Sequence, residues 1–201
     1  MSTTMNTTLL EKYLDINVQH NWYDSIYESF RDDMLAHGIK VDEIFFSGFW
    51  RQGDGACFEG SVYDWELFLQ SIGYDNPALI QLATDNWSTT VKHRGHYYHE
   101  NCTRFDHEWH LPEPDGNLAD ELFIDYYSRY LPDDVRGMVW ISMLKTVDYS
   151  KLEEHIEDAF RDHMRTLYCT LEAEYEYLTS DEVVWEAIVA NELDTQPQEE
   201  V

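Results

Sequence analysis

Apolar positions recur at helical spacing along the first 40 residues. Leu9, Leu10, Tyr13 and Leu14 share one side of a short segment from Thr8 to Asp15. From about Asn21, Trp22, Ile26, Phe30 and Met34 stand four residues apart, and Tyr23 and Tyr27 widen the stripe. Asp24, Glu28, Asp32 and Asp33 fall on the opposite side, which makes this an amphipathic helix that Gly38 ends as its C′ residue. Two aromatic-rich runs follow, Ile44 to Phe49 and Ala56 to Val62, around Gln52-Gly53-Asp54-Gly55. A strand, a reversal that needs positive φ and a second strand is the pattern of a hairpin. Gly53 and Gly55 are the residues expected to take positive φ, with Asp54 bonding the backbone beside it. Gly48 and Gly60 fall within the expected strands, where a missing side chain marks a bulge or a close neighbour.

Beyond the hairpin, Asp64 to Leu69 predicts a short helix ended by Gly73. Asn76-Pro77 predicts an N-cap with proline in the first turn of a helix to Asn86. From Val91 to Trp109 β-formers and histidines alternate, which predicts one long bent strand, or two strands joined near Glu100-Asn101, paired onto the hairpin. Leu111 to Gly116 reads as a loop, and helices are expected over Leu118 to Tyr130 and from Asp133 through Val147. Ser150-Lys-Leu-Glu153 and Thr179-Ser-Asp-Glu182 read as capping boxes. The first opens a long helix with Leu152, Ile156, Phe160, His163 or Met164, Leu167, Leu171, Tyr175 and Leu178 on one stripe. The expected fold is therefore α+β: a small antiparallel sheet, made of the central hairpin and the His-rich strand or strands, covered by helices and followed by a helical C-terminal half. The expected divisions are an α+β part over 1–112 built on the 44–62 hairpin, an acidic helical part over 113–190 packed with it as one domain, and a flexible tail over 191–201.

Charge changes this picture more than composition does. An apolar fraction of 43% and an aromatic fraction of 15% describe a packed globule, yet the formal charge is −27. Such a chain avoids nucleic acid and anionic membranes and is drawn to basic surfaces. A solvated surface is the alternative reading of the same charge. The N-terminus carries neither a basic segment nor an apolar signal core, and no apolar run is long enough to span a bilayer, so a soluble, cytoplasmic protein is expected. Cys57, Cys102 and Cys169 are odd in number and lack CxxC spacing, which does not describe a disulfide framework.

Candidate chemistry centres on the histidines. His93, His96, His99, His107 and His110 stand near Asp106 and Glu108, and a metal would require two or three of them on one face. In a regular strand His93 and His99 share a face that His96 opposes, unless Gly95 bulges. The intervals match no zinc signature, and histidines hydrogen-bonded within an aromatic sheet are the favoured account, with no metal held by His93, His96 and His99. No cofactor is expected. Gln52-Gly53-Asp54-Gly55 reads either as a turn or as an anion nest, and it is not a P-loop because no Gly-Lys-Ser/Thr follows. Cys57 and Cys102 are candidate nucleophiles partnered by His99, or simply buried thiols. A small metal-dependent hydrolase using Asp54 and the His93–His110 cluster is thus one reading.

The carboxylates support another. From Asp148 onward, 16 acidic residues stand against Lys151, Arg161 and Arg165. On the long helix Glu154, Glu157, Asp158, Asp162, Glu172 and Glu176 lie off the apolar stripe. Carboxylates one helical turn apart are ~5–6 Å from each other, the order of successive phosphates on a nucleic-acid strand. A rigid helix can therefore offer a phosphate-like row to a basic cleft.

The string Phe46-Ser-Gly-Phe-Trp50, with Gln52-Gly-Asp-Gly-Ala56 and Phe58-Glu-Gly60, resembles a group of small bacteriophage and plasmid proteins often labelled antitoxins of toxin–antitoxin systems. The likeness spans Val41 to Val62 and more loosely Gly95 to His99, with Arg51 where a serine is expected. It implies a phage or mobile-element origin and host-cytoplasmic action. Together with the charge, it leads to the expectation of a non-catalytic acidic inhibitor of a basic nucleic-acid-handling host protein, such as a nuclease or defence complex. An antitoxin neutralising a basic toxin is the nearest variant.

Overall fold

The computed structural model describes residues 7–109 and 146–193. Helices α1 (Thr7–Tyr13) and α2 (Asp24–Ala36) lead into strands β1 (Ile39–Phe46) and β2 (Ala56–Val62). Helices α3 (Trp65–Ser71) and α4 (Pro77–Asn86) follow, then β3 (Trp87–His93), a 3-10 turn at Glu100–Cys102 and β4 (Thr103–Trp109). Helices α5 (Tyr149–Leu178) and α6 (Asp181–Ala190) complete the described chain. The four strands form one antiparallel sheet in the order β1-β2-β3-β4, so the fold is α+β with a helical C-terminal part. The helices expected between Leu118 and Val147 lie outside the described residues except at Thr146 and Val147, which are not helical, and the tail from 194 lies outside them too.

The hairpin forms, with Phe46 opposite Ala56, but its reversal is longer than the Gly53–Gly55 turn alone. Residues 47–55 make the connection, closed where the Ser47 N–H donates to the Gly55 carbonyl at 3.1 Å. Gly48 therefore sits in this loop and not in a strand. Gly53 has φ +92 as expected, whereas Gly55 does not lie in the left-handed region. Gly55 is required by proximity instead: a Cβ there would come within 2.7 Å of the His99 Cα. Gly60 is the close approach within β2. A Cβ on it would meet the Lys40 carbonyl oxygen at 2.2 Å, beside the register shift between Val41 and Glu43 that bulges β1.

The His-rich segment is two strands, of which β3 starts at Trp87, four residues before the alternation was read to begin. Asn76 caps α4 through its side chain as expected, and Asp64, expected within α3, is its cap instead. The first cap lies two residues before the start of its expected box and the second one residue after the start of its own. Asp148, not Ser150, caps α5 by accepting from the Lys151 N–H, and α6 starts from Ser180, whose hydroxyl donates back to the Tyr177 carbonyl.

One core joins sheet and helices. Phe160 on α5 lies 5.8 Å from Phe58 of β2, 5.6 Å from Phe68 of α3 and 5.7 Å from Phe105 of β4, ring centre to ring centre. Leu152, Ile156, Met164, Leu167 and Leu171 extend this contact along the helix, all fully or almost fully buried. At ~25 cal/mol per Å² such a stripe supplies several kcal/mol per pair of side chains, and it fixes the helix as a rigid rod. Leu10, Val184 and Ile188 form a separate cluster that ties α1 to α6.

A candidate partner-binding surface on α5 and the aromatic loop

With its apolar stripe sunk into the core, α5 must turn its remaining side chains outward over ~45 Å of length. Glu154, Asp158, Asp162 and Glu176 are exposed, and Glu157 and Glu172 are half-buried. The six do not form one uninterrupted acidic row, because the two arginines of the helix lie among them. Arg161 bonds Glu157 at 2.7 Å and Asp158 at 3.3 Å. Arg165 bonds Glu100 at 3.2 Å and also pairs with Asp162. Glu154, Glu172 and Glu176 make no ion pair among the described residues. Free carboxylates therefore stand at both ends of the helix, and its middle carries a partly compensated cluster that still has more acid than base.

The Glu157 pair also serves packing. Arg161 sits over Phe105, its guanidinium carbon 5.0 Å from the ring centre, and Glu157 faces His107 Nε2 at 3.6 Å. His107 in turn contacts the buried Thr89 hydroxyl through Nδ1 at 2.9 Å. Arg161, held by Glu157 and seated over Phe105, ties α5 to β4, so Glu157 has a structural task besides its charge.

The histidines are dispersed. His93 Nε2 contacts the Tyr97 carbonyl at 3.2 Å, and its ring packs on Phe45 and Tyr98. His99 Nδ1 accepts from the Asn101 N–H at 3.2 Å and lies 2.9 Å from Glu100, while His96 is exposed. Among the described residues no group of three His, Cys, Asp or Glu side chains is arranged to hold a metal ion. His110 lies outside them. Asp54 is held as a turn residue, its Oδ2 accepting from the Arg51 N–H at 2.8 Å. Cys57 is fully buried, and burial first, then Cys102 and Glu59, push its thiol up to about 12. A thiol so disposed is the wrong form for a nucleophile at neutral pH.

Trp50 follows the run expected to form the first strand, Ile44 to Phe49, with no role of its own expected. It sits in the 47–55 loop at φ +72 with two-thirds of its surface exposed (67%). Such a φ is a genuine outlier for a bulky side chain. Its ring rests on Phe49 at 5.8 Å and Tyr175 at 5.6 Å, at the edge of an aromatic group that includes Trp22, Phe46 and Tyr168. A tryptophan inside a glycine-rich turn was the signal available in the sequence. A groove of about 350 Å³ also runs between α2 and α5, but its Thr166 and Thr170 hydroxyls turn back to carbonyls of their own helix.

Sheet order and helix placement define an α+β protein whose outer helix and aromatic loop are its most distinctive surfaces. The chain belongs to the DUF8835 family, a domain of unknown function whose model matches residues 22–181. The matched span holds the main core and all of α5, and it leaves out α1 and nearly all of α6. No curated protein and no solved structure matches the chain. No described helix is long and apolar enough to cross a membrane.

Proposed function

We propose that this protein is a non-catalytic, phage-type acidic inhibitor that binds a basic, nucleic-acid-handling host protein and blocks its groove. The observation that supports the reading is α5: a 30-residue helix fastened to the core by six buried side chains, with carboxylates along its outer face. Rigidity matters because a row of charges that is already in place loses little entropy on docking. Charge complementarity then speeds encounter and sets register more than it adds raw affinity. An antitoxin that neutralises a basic toxin uses the same physics with a different partner.

The test is competition in a salt series. Nucleic acid and this protein should exclude each other from the partner, and association should weaken steeply as salt rises, because exposed charges are screened beyond ~8 Å at physiological ionic strength. Glu154→Gln/Glu172→Gln/Glu176→Gln removes three charges that no described arginine or lysine pairs with, so the fold should be kept while association slows. Affinity unchanged in this variant, with a flat salt dependence, contradicts the proposal.

A further inference from the structure

The chain contains its own example of how it holds an arginine. Arg161 lies on the face of Phe105 while Glu157 and Asp158 take its N–H groups. An aromatic face with two carboxylates at its rim satisfies both the flat, weakly hydrated plane of a guanidinium and its forked donors. The same ingredients recur around Trp50, with no guanidinium over its ring among the described residues. Trp50 is exposed and its ring meets Tyr175 edge-on at 5.6 Å. On α5 Glu172 stands four residues after Tyr168 and three before Tyr175, one helical turn from each ring, and burial first, then Glu172 and Asp54, push the Tyr168 phenol up. Glu176 is the next residue after Tyr175 on α5. Arg51 is the one basic residue of the loop, against Asp54 in the loop and the two glutamates on the helix.

We propose that Trp50, backed by Tyr175 and rimmed by Asp54, Glu172 and Glu176, is a receptor for an arginine side chain of the basic partner. This rests on the proposed function and deepens it: α5 supplies the long-range attraction, and Trp50 supplies the point at which one residue of the partner is read. Arginine is favoured over lysine because only the guanidinium can both stack on the indole and give parallel bonds to carboxylates. The left-handed backbone at Trp50 fits this role, since it holds the ring out of the core and in solvent at a conformational cost.

The experiment follows the Trp50 indole N–H signal in the NMR spectrum of the full chain, assigned by its loss in Trp50→Phe. A short peptide of alternating arginine and glycine is titrated in at low salt, then the same peptide with lysine for arginine. The expected result is a shift of the Trp50 signal and tighter binding of the arginine peptide. Trp50→Gly, which also relieves the positive φ, should weaken that binding by about two- to thirtyfold, the range a cation–π contact supplies. A Trp50 signal that stays still while the peptide binds overturns the proposal, as does equal binding by Trp50→Gly. If in that case the Glu154/Glu172/Glu176 variant still loses peptide, the acidic-inhibitor reading survives without the receptor. Absence of any peptide binding at low salt overturns both.

Discussion

Gly60→Ala isolates the contact on which the hairpin is built. The added methyl carbon would lie 2.2 Å from the Lys40 carbonyl oxygen and 3.3 Å from the Val41 Cα. Ordinary contact between carbon and oxygen needs roughly 1 Å more than that, and both groups are backbone in the interior of a paired sheet. Neither can rotate away, so β1 and β2 must part where the bulge already weakens their ladder. Overpacking of this kind costs ~1–3 kcal/mol and more when backbone must move, so ~3 kcal/mol is expected here. Gly95→Ala is the control: its φ is +99 but nothing lies within 4 Å of the added carbon, so only the backbone term of ~1 kcal/mol applies. For a chain of this size 1 kcal/mol shifts Tm by ~2–4 °C. Urea unfolding followed by circular dichroism and by tryptophan fluorescence should thus rank Gly60→Ala well below Gly95→Ala, with the parent on top. Gly60→Ala as stable as Gly95→Ala would refute the close approach and with it the register of β1 against β2.

Three further outcomes follow from particular sites. Gly53→Val and Gly55→Val should both destabilise the fold, the first through positive φ and the Tyr97 ring, the second by driving β2 off the His99 backbone; soluble, parent-like melting of either would be the contrary result. His163 is lowered from its ordinary value mainly by burial and next by His37, while Asp33 and Asp162 pull the other way. Its folded form resists protonation, so its contribution is complete above about pH 6.5 and is lost as pH falls through that value toward the lowered one. His163→Gln should therefore lose less stability than the parent between about pH 7.5 and about pH 5.5, and equal losses would remove His163 as the cause. Thiol labelling of the folded chain should modify exposed Cys169 first, Cys102 more slowly and Cys57 only after unfolding; early labelling of Cys57 would contradict its burial.

Much of the fold was legible because the relevant signals are local. The α5 stripe follows from one period held over many residues, and Asp64, Asn76-Pro77 and Gly38 act within one turn of their own positions. The long-range parts were not legible. Nothing near Gly55 in the sequence announces the His99 backbone, 44 residues on, so positive φ was the natural expectation and proximity the actual reason. The left-handed backbone at Trp50 was not legible either, since strain at a single φ leaves no composition signal. The acidic face was legible as charge but not as pairing. Helical spacing places Arg161 and Arg165 near Glu157, Asp158 and Asp162, whereas the Glu100 partner of Arg165 and the Phe105 platform of Arg161 come from the sheet.

That pairing decides how the central claim is best measured. Neutralising Glu157, Asp158 and Asp162 would leave Arg161 and Arg165 short of partners and mix a structural effect into a binding result. Glu154, Glu172 and Glu176 carry no such burden among the described residues. The most direct measurement is the affinity of the Glu154→Gln/Glu172→Gln/Glu176→Gln variant and of the parent for the basic partner, across a salt series and in the presence of competing nucleic acid. The account predicts an unchanged melting temperature, affinity reduced most at low salt, a shallower salt dependence, and weaker competition with nucleic acid. Parent-like affinity at every salt concentration, undisturbed by nucleic acid, would contradict it and leave the acidity of this chain as surface solvation.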